Sequence, residues 1–341
     1  MFVSKVRNAE DGWIKGIAQM KEAQRSGDAD VASPRGKRVI VYPSPFATIY
    51  TQPRECVVFD AVRDANPFFH FIEGLWVLAG REDVASLTQY NARMVDFSDD
   101  GKIFHAPYGH RLRVAQGIDQ LKEVLALLKR EPDTRRAVLQ IWDAKSDLNY
   151  DCKDIPCNDL IFLSLKYETE LSMTVCCRSN DMIWGCYGSN VVQFSLLLQY
   201  LADMGGYRVG TYTQISNNFH VYPDNPVWGK VLNRPTAPTN PYSAGIEPYY
   251  PFVSNPATMD EDLYYFFEAP DARYGFSNKV FEDIAIPMRD AYAMYRAGDL
   301  ELALRRCRDI KAEDWELACS RWIERRIIRR RIKENDYDPE A

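Results

Sequence analysis

Asn190 opens a run, NVVQFSLLLQYLADMGG, that is apolar on nearly every side of a 3.6-residue helix and stops at Gly205-Gly206. A helix without a polar face has to be covered all round. The rest of the chain must therefore supply at least two layers to bury it. The 341 residues are enough to do so without staples. A hydrophobic share of 46% and a charged share of 26% exclude a disordered or coiled-coil chain.

The other segments supply the layers. PFFHFIEGLWVLAG, from Pro67, carries a proline at its start and a glycine at its end, and predicts a buried helix. GIDQLKEVLALLKREP, from Gly117, has helical spacing and predicts an amphipathic surface helix. RVIVYPSPFATIY from Arg38, RRAVLQIWD from Arg135 and YRVGTYTQISNNFHVY from Tyr207 read as strands. LIFLSLKYETELSMTVCCRS reads as a hairpin turning at Glu168-Thr169-Glu170. Helices and antiparallel strands are mixed rather than strictly alternating, which favours an α+β single domain. Residues 1–30 are expected as an N-terminal helical arm, 31–260 as the catalytic core and 261–341 as a helical region packed on it, with a proline-rich loop over 223–251.

Charge and cysteine usage narrow the function classes. Lys plus Arg is 42 against 48 Asp plus Glu, a formal charge of -6, so nucleic acid is not an expected partner of the chain as a whole. The basic tract Arg325–Lys333 is the local exception; it reads as a solvated helix whose arginines pair with carboxylates, or else as a phosphate contact. No run approaches the ~20 apolar residues that cross a bilayer, and the N-terminus lacks a signal-peptide stretch, so a cytoplasmic protein without membrane contact is expected. Eight cysteines in such a chain argue for inert buried thiols, with one reactive thiolate among them, rather than a disulfide framework. Cys152 and Cys157 have no matching second pair, and no metal is expected.

The chemistry concentrates between Asp133 and Tyr222. Asp133-Thr134-Arg135-Arg136, Pro156-Cys157-Asn158, Cys177-Arg178-Ser179-Asn180-Asp181, Gly185, Asn190 and His220-Val221-Tyr222 follow one another there. A cysteine after a proline can present its sulfur to a cleft, and nearby arginines would lower its pKa and make it a nucleophile. Three guanidinium forks and a serine hydroxyl match a phosphate dianion. Asparagine, with one acceptor and two donors, suits a pyrimidine edge. Singly each has a structural reading: Cys157 as packing, Arg135-Arg136 as a solvated strand edge, Asn190 as a helix cap, His220 as a satisfied core histidine.

In order and spacing these residues resemble the thymidylate synthase and deoxypyrimidylate hydroxymethylase superfamily, over roughly Arg35 to Tyr222. Glu73 in Phe71-Ile72-Glu73-Gly74-Leu75-Trp76 is similar to the family's E-x-x-W glutamate, and Tyr108 in Pro107-Tyr108-Gly109 to its active-site tyrosine. The resemblance implies a thymidylate synthase-like fold, with a mixed sheet packed by helices. It also implies a cysteine–C6 adduct mechanism using methylenetetrahydrofolate. Cys157 would add to C6 of the pyrimidine, and Arg178 would stabilise its thiolate. Glu73 and Tyr108 would manage protons. Arg35, Arg178 and Ser179 would hold the phosphate, joined by Arg135 and Arg136 from the partner subunit of a homodimer. His220 and Tyr222 would hold the sugar hydroxyl. Asp181 would hold the pterin, with Gly185 also on the folate side. Asn190 would read the base, and asparagine rather than aspartate favours dUMP over dCMP.

Four departures bear on the product. Cys177 stands where synthases carry glutamine, and the Gly185–Asn190 interval is one residue longer than theirs. The Met94–Ser98 segment lacks the tryptophan that synthases place against the folate, although Phe97 or Trp184 could replace it. The ending Asn335–Ala341 lacks their apolar lid. A site without wall or lid admits water, so the expected activity is dUMP hydroxymethylation, of the kind phages use for DNA modification inside the host cytoplasm. Thymidylate synthesis is the alternative within the family. A non-catalytic nucleotide- or nucleic-acid-binding protein is the alternative outside it. A cysteine hydrolase, with a base drawn from His70, His105, His110 or His220, fits the arginines poorly.

Overall fold

The computed structural model describes residues 1–32, 36–234, 238–269 and 274–335. The Asn190–Gly205 helix is buried at every position from Asn190 to Ala202, as its apolar circumference requires. The Pro67–Leu78 helix packs beside it and is buried along its whole length, capped by the Asn66 side chain and with proline in its first turn.

Among the described residues ten strands form two sheets: β1 (Phe2–Val6), β2 (Asp30–Ala32), β3 (Val39–Val41), β4 (Phe46–Tyr50), β5 (Val138–Gln140), β6 (Asn158–Lys166), β7 (Glu170–Cys177), β8 (Asn180–Asp181), β9 (Arg208–Ser216) and β10 (Phe219–Val221). The larger sheet runs β1-β4-β9-β7-β6-β5 and the smaller β2-β3-β10-β8. The pairings are mixed: β1–β4 and β7–β9 are parallel, whereas β4–β9, β5–β6 and β6–β7 are antiparallel. This is the α+β arrangement expected.

Two expected single strands are each split between the sheets. Val39–Val41 and Phe46–Tyr50 fall in different sheets, with the Pro43 and Pro45 region between them, because proline cannot donate to a ladder. Arg208–Ser216 and Phe219–Val221 separate likewise at Asn217-Asn218. The proline-rich stretch contains a short helix, Pro226–Leu232, capped by Asn225.

Residues 1–30 are not a separate arm. β1 closes the edge of the larger sheet, and the Ala9–Ser26 helix buries Trp13 completely, with its indole N–H donating to Asp60 Oδ2 at 2.7 Å. The helical stretch from Ile286 to Asn335 packs on the core through Tyr292, Trp315 and Trp322. Its basic tract is pinned: Arg325, Arg326 and Arg329 lie 3.0, 2.7 and 3.0 Å from the Asp64 carboxylate. Among the described residues no helix is long and apolar enough to cross a membrane.

The helix carrying Tyr108, Tyr108–Arg113, docks on the Pro67–Leu78 helix through Gly109. A Cβ at Gly109 would lie 2.0 Å from the Val77 carbonyl oxygen, a backbone atom that cannot swing away. Gly109→Ala should therefore cost about 3 kcal/mol in urea unfolding. A wild-type midpoint would mean that the two helices sit further apart than described.

Candidate active site

The β6–β7 hairpin brings the nucleophile candidate to its arginine. Asn158 pairs with Cys177 and Leu160 with Cys176, so a bulge lies at the start of β6, immediately after Cys157. Such a bulge bends the strand and re-aims the side chains beside it. The Arg178 amide donates to the Cys157 carbonyl at 2.9 Å, which locks the two residues side by side. The Arg178 guanidinium donates to the carbonyls of Pro156 (2.7 Å) and Ile155 (3.1 Å) and places Nη2 4.0 Å from Cys157 Sγ.

Cys157 faces a cleft of about 270 Å³, and Arg178, which does not line it, stands behind the sulfur. Glu73, Tyr108, Cys157, Ser179, Asp181, Gly185 and Asn190 all line it. His220 and Tyr222 are not among the lining residues. β8 and β10 run parallel with His220 opposite Asp181 and Phe219 opposite Asn180, so the histidine-x-tyrosine segment borders the aspartate. His220 Nδ1 is 2.9 Å from Asn218 Oδ1, and the His220 and Tyr222 rings meet edge-on at 5.4 Å. Arg135 and Arg136 are exposed and do not line this cleft; Arg136 bridges Glu131 instead. Arg35 lies outside the described residues.

The extra residue between Gly185 and Asn190 is accommodated locally. Met182–Ser189 forms a widened helical turn, with non-helical Tyr187 and Gly188, that runs straight into the Asn190 helix. Asn190 is consequently not a cap. Its side chain donates to Asn180 Oδ1 at 3.2 Å and faces the cleft. Gly185 is required by this contact, because a Cβ there would lie 2.7 Å from Asn180 Oδ1 and 3.2 Å from Asn190 Nδ2.

The aromatic wall expected to be missing is present. Phe97 and Trp184 both line the cleft and both remain 40% exposed, so each offers a free face to a ligand. Trp76, Met94 and Phe104 continue this apolar side. A cleft whose polar edge carries Asp181 and whose other side presents exposed aromatic faces fits a flat heteroaromatic ring such as a pterin.

Burial dominates the electrostatics. The Cys157 thiol is pushed above its ordinary value by desolvation; Arg178 pulls it down without prevailing, while Asp154, Asp159 and Asp181 push it further up. The lowering expected from arginine is thus outweighed by burial. Burial also raises Asp181, against the pull of the Ile183 amide, His220 and Arg63. Tyr108 is raised well above 10, burial again leading. Glu73 is carried from 4.5 to about 7 by burial, with Ser189 and Gln193 favouring its charged form.

Lys153, Asp154, Ser189 and Gln193 also line the cleft and were not picked out from the sequence. Ser195 and Gln199 repeat the Ser189–Gln193 spacing along the same helix, so spacing alone does not single out the cleft pair.

A model of the family described as thymidylate synthase matches residues 67–240, half of the chain. The chain belongs to the thymidylate synthase family. It is 39% identical to the deoxyuridylate hydroxymethyltransferase of Pseudomonas phage M6, over 96% of this chain and 95% of that protein. It is 42% identical to the deoxyuridylate hydroxymethyltransferase of Bacillus phage SP01, over 58% of this chain and 54% of that one. A putative thymidylate synthase of Methanothermobacter marburgensis is 36% identical over 38% of this chain and 56% of its own length.

The Glu73 shift has a consequence for stability. The unfolded carboxyl ionises near 4.5, whereas the folded one holds its proton to about 7, so wild-type stability falls as pH rises through that window. Glu73→Gln carries no such charge. Its melting advantage over wild type should grow between pH 4.5 and 7 by up to about 3 kcal/mol. A pH-independent difference would mean that Glu73 is solvated in the folded chain.

Proposed function

We propose that this chain transfers a one-carbon unit to C5 of dUMP and releases 5-hydroxymethyl-dUMP. The observation that carries this reading is the near full-length likeness to the phage M6 deoxyuridylate hydroxymethyltransferase. The arrangement of Cys157, Glu73, Tyr108 and Asn190 around one cleft, with Arg178 beside the Cys157 sulfur, supports it. Phage relatives support action in the cytoplasm of an infected cell, in the supply of a modified DNA base.

The sulfur of Cys157 forms a bond to C6, and the C5–C6 π pair moves to C5, which becomes the nucleophile. Burial raises the thiol, so its proton passes to water as the S–C6 bond forms and the ring takes up the charge as an enolate. Arg178, beside the sulfur, stabilises the thiolate at that moment. Ser179 and Arg178 hold the phosphate with Arg35. His220 and Tyr222 hold the sugar hydroxyl, and Asn190 reads the base edge. Asp181 and Gly185 border the folate site, where Phe97 and Trp184 give it a stacking wall. Methylenetetrahydrofolate, bound there, supplies the one-carbon unit. Glu73, with a pKa near neutrality, exchanges protons with the ring through water, helped by Tyr108.

The site is completed in a homodimer. The outer face of the larger sheet leaves Val138 and Phe162 each 41% exposed, with Thr174, Cys176, Thr213 and Ile215 only half-buried. A second copy covers this apolar face and brings Arg135 and Arg136, next to β5, to the phosphate of its neighbour.

Product mass after incubation with dUMP and methylenetetrahydrofolate should show a hydroxymethyl group, with tetrahydrofolate released. A methyl product with dihydrofolate would identify a thymidylate synthase instead. Cys157→Ala should abolish either product; affinity for dUMP without turnover in the wild type would mark a binding protein. Asn190→Asp should lower kcat/KM for dUMP by at least about tenfold and raise turnover of dCMP, because a carboxylate cannot donate to a uracil carbonyl. Unchanged preference would mean that another residue reads the base.

A further inference from the structure

Two polar residues interrupt the buried Asn190–Gly205 helix and the turn leading into it where they matter most. Ser189 and Gln193 lie four residues apart, one turn, and both line the cleft beside Glu73. All three are deeply buried, with 5, 5 and 6% of their surface exposed. Ser189 and Gln193 come close enough to the Glu73 carboxylate to favour its charge, yet Glu73 Oε2, Ser189 Oγ and Gln193 Oε1 complete no hydrogen bond.

The serine hydroxyl can donate once and accept, the Gln193 amide nitrogen can donate, and Gln193 Oε1 can only accept. As placed, three buried polar atoms beside one another still have no partner. A water molecule, which donates twice and accepts twice, satisfies such a set. Phe97 and Trp184 give the cleft an aromatic side, so a missing wall does not account for water entering the reaction.

We propose that Ser189 and Gln193 are positioning residues that form, with Glu73, a cage for the water that completes the reaction, and that this cage directs the product to hydroxymethyl rather than methyl. The inference rests on the hydroxymethylase reading. Once the one-carbon unit has left the folate, the nucleotide carries an exocyclic methylene at C5 and is still bonded at C6 to Cys157. The caged water forms a C–O bond to that methylene, and its proton passes to the Glu73 carboxylate. The methylene π pair moves through C5 into the C4 carbonyl as an enolate. Collapse of the enolate forms the C5–C6 double bond and expels the Cys157 thiolate. Nothing is oxidised or reduced, whereas a methyl product needs a hydride.

The test is the ratio of hydroxymethyl product to tritium released from dUMP labelled at C5, measured in the same reaction. Tritium release reports the steps before water addition. In wild type the two should be equal. In Ser189→Ala/Gln193→Leu tritium release should persist while hydroxymethyl-dUMP falls roughly tenfold relative to it. Intact-protein mass should then show nucleotide retained on Cys157. Ser189→Ala alone removes one oxygen and should shift the ratio in the same direction, which keeps the test valid if the double variant folds poorly. An unchanged ratio overturns the cage. So does a parallel fall of both quantities, which marks a purely structural role. A methyl product from the wild type overturns the hydroxymethylase reading itself and is seen before any variant is made.

Discussion

The fold depends on one requirement: the Asn190–Gly205 helix has no face that tolerates water. The Pro67–Leu78 helix covers it on one side and β7 and β9 on another, and both partners are themselves apolar there. This packing also sets the site. Glu73 belongs to one helix, Asn190 and Gln193 belong to the other, and Cys157 and Arg178 come from the hairpin of the sheet beneath. Residues far apart in sequence converge because the elements bearing them bury the same helix.

The same burial produces the reactivity. Charged groups lose hydration in the cleft, so Glu73, Asp181 and Cys157 all hold protons more tightly than they would in water. For Glu73 the outcome is a carboxyl poised near neutral pH, suited to moving protons in both directions. For Cys157 it is a resting thiol rather than a thiolate. The nearby guanidinium acts on the charge that develops during attack, not on a charge that waits for the substrate. Proximity of an arginine in sequence did not reveal this, because the balance is set by desolvation, which a linear reading does not measure.

Much of the architecture was legible because hydrophobic period and punctuation agree in the segments from Pro67, Gln120, Asn158 and Asn190. The site was legible from the order of short motifs rather than from any one residue. What could not be read depends on distant partners. The first 30 residues look like a weakly amphipathic arm until Trp13 meets Asp60, which lies 47 positions away. The stretches from Arg38 and Tyr207 read as continuous strands, although each changes sheet part-way along. Asn190 looks like a cap until the widened turn before it brings its amide to Asn180. The missing tryptophan suggested an open cleft, but Phe97 of that same segment and Trp184 from another both line it.

That last difference changes the physical account of product choice. A hydrophobic wall discourages bulk water, but a single water held by three buried oxygens is part of the protein and is not excluded by the wall. Hydride transfer and water addition compete for the same methylene carbon. The winner is the reagent already oriented within reach when that carbon appears, since orientation supplies most of the advantage of an intramolecular step. Glu73 and its two polar neighbours line the same cleft as Phe97 and Trp184. The wall can therefore keep the folate in register for delivering its carbon while the cage supplies the oxygen that follows.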